Sequence, residues 1–228
     1  MKGKDRNMQM HRRDLLGAMA AVTLAAAGMP AAALAAEEGK PVNVAVLHKE
    51  PAVGDMVLGR PDAPVTIVEY ASATCPHCAT FHEEVWPQLK KEFVDTGKVR
   101  FIFREFPLDQ LALAAFMLTR CAGREKYFPM LDLVMKNQRT WVKNPREELL
   151  KIAKLAGMSE QQFDACLKNE KLAMDIVAMS KDANRLFGVD STPTFFVNGR
   201  RLVGGHSIEE FRTIINEELK KAQAQKKG

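Results

Sequence analysis

The sequence predicts an α/β fold in which a parallel strand–helix–strand unit is separated by a long helical stretch from a closing strand–strand–helix unit. Three observations carry this reading. The β-branched, apolar run Val65-Thr66-Ile67-Val68-Glu69-Tyr70 is followed by an amphipathic helix and a second apolar run from Val99 to Phe106. From Leu108 to about Arg185 no strand signal interrupts a helical periodicity. Thr194-Phe195-Phe196-Val197 and Arg200-Arg201-Leu202-Val203 then flank Asn198-Gly199, a strong signal for a two-residue hairpin turn.

Each element has a local cause. After the first strand, Ala71 to Thr74 form a turn, and Pro76 suits the first helical position, where its missing N–H costs nothing. Phe81, Val85, Leu89 and Phe93 recur every fourth residue as one apolar stripe, and Gly97 ends the helix. In the helical stretch Leu111, Ala115 and Leu118 share a face. Further helices are expected over Tyr127 to Lys136, Glu147 to Leu155, Glu160 to Leu167 and Leu172 to Phe187, punctuated by Pro129, Pro145 and Gly157. Ser159 can cap one of them, and Ser207 with Glu210 makes a capping box for a last helix through Phe211, Ile214, Ile215 and Leu219. The order βαβ, helices, ββα is that of a thioredoxin-like fold with an inserted helical domain. The expected parts are an export signal at 1–35, an N-terminal extension at 36–58, the first part of the thioredoxin-like domain at 59–107, the helical insertion at 108–187, the second part at 188–220 and a basic tail at 221–228.

The first 35 residues differ from the rest. Lys2, Lys4, Arg6, Arg12 and Arg13 precede an apolar, alanine-rich stretch from Leu15 to Met29, and Ala33-Leu34-Ala35 offers small residues for cleavage near Ala35/Ala36. Arg12-Arg13 allows a twin-arginine signal as well as a Sec signal, and an uncleaved anchor is the third possibility. Removing five basic and two acidic residues turns 33 against 28 into 28 against 26, so the net charge falls from +5 to +2. The basic balance belongs mostly to the leader, and no nucleic-acid partner follows from it.

Cys75-Pro76-His77-Cys78 places two thiols one helical turn apart at a helix start. Free N–H groups and the positive end of the helix dipole favour a thiolate at Cys75, and His77, when protonated, adds to them. A low-pKa sulfur is a good leaving group, so a disulfide containing it oxidises other dithiols. The chain has four cysteines, which allow three pairings. Adjacency favours Cys75 with Cys78, leaving Cys121 with Cys166 as a structural bond worth about 4 kcal/mol of loop entropy. Free, buried thiols at Cys121 and Cys166 are the alternative. A zinc site at Cys75 and Cys78 would need two further ligands, and no second C-x-x-C or H-x-x-x-H exists. No metal or cofactor is therefore expected.

The residues from Gly59 to Lys220 closely resemble the DsbA family of periplasmic thiol:disulfide oxidoreductases. The likeness rests on Pro64 to Tyr70, on Cys75-Pro76-His77-Cys78, on Phe103-Arg104-Glu105-Phe106-Pro107-Leu108 and on Ser191-Thr192-Pro193-Thr194-Phe195-Phe196. The resemblance implies that Cys75 is the nucleophile and Cys78 the resolving thiol. It implies too that Glu69 is a buried acid assisting proton transfer at Cys78, and that Pro193 is a cis-proline facing the site. His82 and His206 are read as packing or surface residues. Thr192 departs from the valine common before that proline in oxidases and resembles the related isomerases. The implied partners are unfolded exported proteins with thiols and a DsbB-like inner-membrane quinone reductase, with the chain acting as a periplasmic monomer. A DsbC/DsbG-type isomerase or reductase and a dithiol metal carrier are the competing functions.

Overall fold

The computed structural model describes residues 42–225, so the leader read at 1–35 and the end of the basic tail lie outside the described residues. Five strands form one sheet in the order β1-β3-β2-β4-β5, with β1 Met56–Leu58, β2 Val65–Ala71, β3 Val99–Glu105, β4 Thr194–Val197 and β5 Arg200–Val203. β2 and β3 are parallel, in register from Val65 opposite Val99 to Ala71 opposite Glu105, and the other pairs are antiparallel. β2 has neighbours on both sides and every residue of it is buried, which is why it reads as a mostly apolar run broken only by Thr66 and Glu69. The predicted α/β, thioredoxin-like architecture is present.

Alternation along the strands divides two cores. Val65, Ile67 and Ala71 of β2 with Val99, Phe101 and Phe103 of β3 face the larger one. Val68, Tyr70 and Ile102 face the smaller one, with Leu47 of α1 Val44–Leu47. Glu69, between Ile67 and Ala71, therefore lies on the larger core's face. The last helix, α10 Ile208–Gln225, sets Phe211, Ile214 and Ile215 into that same core.

The helical run after β2 spans 76–94 and is not a plain α-helix. α2 Pro76–Thr80 gives way to a π turn at Phe81–Val85, α3 Trp86–Leu89 follows, and a second π turn ends it at Lys90–Val94. Pro87 supplies the cause of the first: it has no N–H, and its ring collides with the carbonyl four residues back. The Trp86 N–H reaches the Phe81 carbonyl instead, and α3 restarts with Pro87 in its first turn. The extra residue widens the buried stripe. Phe81, Leu89 and Phe93 are buried as the spacing predicts, Val85 is half-buried, and His82 and Trp86 join them.

The insertion comprises α4 Gln110–Cys121, α5 Arg124–Lys136, α6 Gln138–Trp141, α7 Pro145–Leu155, α8 Glu160–Leu167 and α9 Glu170–Phe187. Asp109 caps α4, accepting the Ala112 N–H at 2.8 Å, and Ser159 with Gln162 forms a full capping box on α8. Cys121 and Cys166 are bonded and tie the end of α4 to α8. α9 contributes Ile176 to the larger core and Ala183 and Phe187 to the smaller.

Four local expectations change. Met56–Leu58, placed by the sequence in an N-terminal extension, is the edge strand β1. At three residues it has no readable alternation and is defined only by pairing with β3. Pro129 lies inside α5, where it frees a carbonyl on the helix's exposed side. Leu111 does not share the buried face of Ala115 and Leu118 and is 40% exposed. The one-turn helix α6 follows α5 directly without any signal of its own. The hairpin turn is as read: Asn198 and Gly199 both have positive φ, at 47° and 88°. Ser207 and Glu210 exchange capping bonds at 2.7 and 3.2 Å. Among the described residues no helix is long and apolar enough to cross a membrane.

Candidate functional site

Cys75 is the N-cap residue of α2, with extended backbone, and Pro76 opens the helix. The Cys75 N–H donates to the Ser72 carbonyl and the Cys75 carbonyl accepts from Ala79, so the turn leaving β2 hands the chain directly to the helix. Pro76 and His77 are exposed, Cys75 is 6% exposed and Cys78 is fully buried. Both cysteines are thiols here.

Their environments push them apart. The Cys75 pKa falls to about 5, chiefly through a hydrogen bond from the Cys78 thiol, partly opposed by burial, with help from the Thr192 side chain and the Cys78 and His77 backbone N–H groups. His77 thus contributes its amide at the helix start; its imidazole stands exposed. Cys78 moves the other way. Burial raises its pKa well above the usual thiol range, and the Cys75 hydrogen bond, the Cys75 charge and the Glu69 carboxylate act in the same sense. At neutral pH the pair carries one thiolate, and it sits on the more accessible sulfur.

The Thr192–Pro193 peptide is cis, and the Thr192 carbonyl lies 3.2 Å from Cys75 Sγ. The loop before β4 therefore stands against the cysteine helix across 117 residues of sequence. The Thr192 Oγ1 is buried, and the Cys75 thiolate is the acceptor its hydroxyl serves. Beneath the pair, Glu69 is fully buried, and its Oε2 lies 3.1 Å from His82 Nε2, itself on the wall of the cysteine helix. Glu69 is thus a buried acid and not a surface carboxylate at the strand end.

Three contacts are not visible in the sequence. Gln138, buried at the start of α6, spends both amide N–H groups on the active turn, donating to the Ala73 carbonyl at 2.8 Å and the Cys75 carbonyl at 2.9 Å. Thr74 donates to Asp109 at 2.7 Å, and Ser72 Oγ accepts the Leu108 N–H at 3.2 Å. The insertion thus grips the cysteine turn from two sides. A lone glutamine between two helices carries no motif; only its position after α5 offers a hint.

The thiolate makes a titration sharp. Because the folded pKa of Cys75 lies below the ordinary value of about 8.5, ionisation stabilises the reduced fold above that ordinary value. The gain is lost as pH falls through about 5. Thiolate absorbance at 240 nm on reduced protein should therefore show a midpoint near 5. Thr192→Val, which removes one donor to a charged sulfur, should raise it by roughly one unit. An unmoved midpoint would remove the hydroxyl from the site's electrostatics.

Comparison with known proteins agrees with this geometry. Residues 51–217 match the family model described as Thioredoxin. The chain is 35% identical over 177 residues to a protein of Rickettsia conorii named "Putative protein-disulfide oxidoreductase", with 76% of this chain and 64% of that one covered. It spans about two thirds of the length of such curated relatives. Wolbachia pipientis alpha-DsbA1 superposes with a TM-score of 0.72 at 33% identity, covering 78% of this chain and 96% of that one. A structure named as a protein-disulfide isomerase, from Novosphingobium aromaticivorans, gives 0.64 at 27% identity, covering 72% and 97%. Sheet order, the C-P-H-C turn and these likenesses together make the chain a member of the thioredoxin family, within its DsbA group.

Proposed function

We propose that the chain is a thiol:disulfide oxidoreductase that donates its Cys75–Cys78 disulfide to other dithiols. The observation that carries this reading is the opposed pair of environments: a thiolate-favouring Cys75 and a buried, proton-holding Cys78. A substrate thiolate attacks Cys75 Sγ, the Cys75–Cys78 bond breaks with its electron pair going to Cys78, and Cys78 takes up a proton. A second substrate thiolate then attacks the substrate sulfur of the mixed disulfide, and Cys75 leaves as its stable thiolate. The substrate loses two electrons and the protein gains them. Leaving-group stability drives the second step, which makes donation of a disulfide the favoured direction.

In this reading Cys75 is the exchanging sulfur, attacked and then released during donation and the nucleophile when the reduced protein meets a disulfide, and Cys78 is the resolving thiol. Pro76 and His77 shape the helix start, Thr192 and Pro193 form the facing loop, and Glu69 serves Cys78. Cys121–Cys166 is the structural staple. The substrates are unfolded exported chains. Leu108 at 53% exposure and Leu111 at 40% flank Asp109, which is bonded to Thr74 beside Cys75, so an apolar surface adjoins the reactive sulfur. Backbone and apolar contacts of that kind bind extended chains without reading their sequence. Export through the 1–35 signal, a periplasmic site of action, monomeric state and reoxidation by a DsbB-like membrane quinone reductase complete the proposal.

Isomerase or reductase activity is the second reading, favoured by Thr192 before Pro193 and by the name of the Novosphingobium relative. A reduced two-cysteine peptide separates the readings. Incubated with stoichiometric oxidised protein, the peptide should emerge cyclised while Cys75 and Cys78 become alkylatable. Persistence of the linear peptide, with efficient rearrangement of a scrambled disulfide protein, would favour isomerisation.

A further inference from the structure

Cys78 must gain and lose a proton in every cycle, yet it is fully buried. A set of polar atoms leads away from its neighbourhood. Glu69 Oε2 lies 3.1 Å from His82 Nε2, and on the far side of the ring His82 Nδ1 lies 4.0 Å from Asp132 Oδ1 on α5. Glu69 and His82 are almost wholly enclosed, whereas the Asp132 side chain is 35% exposed. Glu69 Oε1, His82 Nδ1 and Asp132 Oδ1 are all buried without a hydrogen-bond partner, a cluster a fold built for stability alone would pair or replace. The His82 ring is otherwise packed by Phe81, Trp86 and Phe103, none of which carries a group that titrates in this pH range.

We propose that Glu69, His82 and Asp132 form a proton path between buried Cys78 and solvent. It rests on the exchange reading above and adds a role to His82 and Asp132. When attack at Cys75 opens the disulfide, the electron pair settles on Cys78 Sγ and Glu69 delivers a proton to it. The Glu69 carboxylate is reprotonated from His82 Nε2, and His82 Nδ1 recovers a proton from Asp132, whose partly exposed side chain rotates between ring and water. On reoxidation the proton runs outward and leaves Cys78 as the attacking thiolate. The charges facing the path fit a reversible relay. Cys78 and Tyr127 sense Glu69 at the inner end, while His82, Lys136 and Lys90 hold Asp132 down against the burial that raises its pKa. His82 and Asp132 act through Glu69 and are positioning residues rather than catalytic ones.

The test uses the full chain with Asp132→Asn, a change at a partly exposed site, and His82→Gln beside it. Stopped-flow fluorescence follows opening of the oxidised pair by dithiothreitol from pH 5 to 9, in water and in deuterium oxide. Thiolate absorbance of the reduced form reports Cys75 separately. The expected result is opening on the order of a hundredfold slower in His82→Gln and about tenfold slower in Asp132→Asn, with altered pH profiles and isotope effects and an unmoved Cys75 titration. Wild-type rates and isotope effects in both variants would overturn the path. So would a slowing accompanied by an equal shift of the Cys75 midpoint, which marks a distorted site. Failure of the unmodified protein to react at all would instead remove the exchange reading beneath it.

Discussion

Cys75→Ser should lose all measurable disulfide exchange, while Cys78→Ser, which has no disulfide left to donate, should keep a Cys75 thiolate that attacks a substrate disulfide, releases one substrate thiolate and stalls as the mixed disulfide. The asymmetry follows from the two environments. Cys75 is the sulfur that substrate can reach and the one held as thiolate near neutrality. Cys78 is enclosed, so a substrate thiolate has no path to it. In Cys78→Ser the hydroxyl still donates toward Cys75, and a low Cys75 pKa should survive. In Cys78→Ala that donor, the largest cause of the depression, is gone, and the Cys75 midpoint should climb toward the ordinary thiol range. Non-reducing gels of the reduced variants with an unfolded substrate that carries a disulfide read the trapped species, and absorbance at 240 nm reads the thiolate. Full turnover by Cys78→Ser with protein dithiols would invert the assigned roles.

Arg120→Met should destabilise the fold more than any surface change. Arg120 Nε and Nη2 grip Glu105 at 2.6 and 2.7 Å, and the Tyr127 hydroxyl donates to the same carboxylate at 2.7 Å, all of it buried. Two further guanidinium bonds reach the Val53 and Gly54 carbonyls, so the same side chain ties the segment before β1 to the sheet. Removing the cation strands Glu105 in a core of ring faces, a loss of about 3–5 kcal/mol. Guanidinium unfolding measures it. Glu105→Leu combined with Arg120→Met removes both charges and should recover most of the loss, because the desolvation penalty disappears with the pair. Tyr127→Phe, which deletes one bond and keeps the packing, should cost about 1–3 kcal/mol. A wild-type midpoint for Arg120→Met would show that this network does not hold the strand end beside the cysteine turn.

The large elements were legible because their causes are local. Pro76 at a helix start, Asn198-Gly199 between apolar runs and Ser207 three residues before Glu210 each specify their own structure. The Glu69 side could be read as well: two residues after Ile67 and two before Ala71, it must share their face, and that face carries the cysteine helix. What stayed hidden depends on distance in sequence. β1 exists because β3 offers an edge, and Gln138 matters because α6 starts against the cysteine turn, 63 residues from Cys75. Asp132 meets His82 only once α5 packs there. The π turns had one visible cause, Pro87, but the α spacing of Phe81, Val85, Leu89 and Phe93 masked it. His82, one turn past Cys78, is buried as a packing residue would be, and its bond to Glu69 is the part that no local pattern carries.

The measurement closest to the centre of this account is the equilibrium potential of Cys75 and Cys78 in glutathione buffers at pH 7, read by alkylation and mass so that Cys121–Cys166 is scored separately. A thiolate stabilised in the reduced fold, and lost in the disulfide, makes the pair oxidising. The expected value lies near that of strongly oxidising DsbA proteins, about −120 mV. A value near thioredoxin's, about −270 mV, would mean that the stabilised Cys75 thiolate does not set the potential, and would contradict disulfide donation as the function.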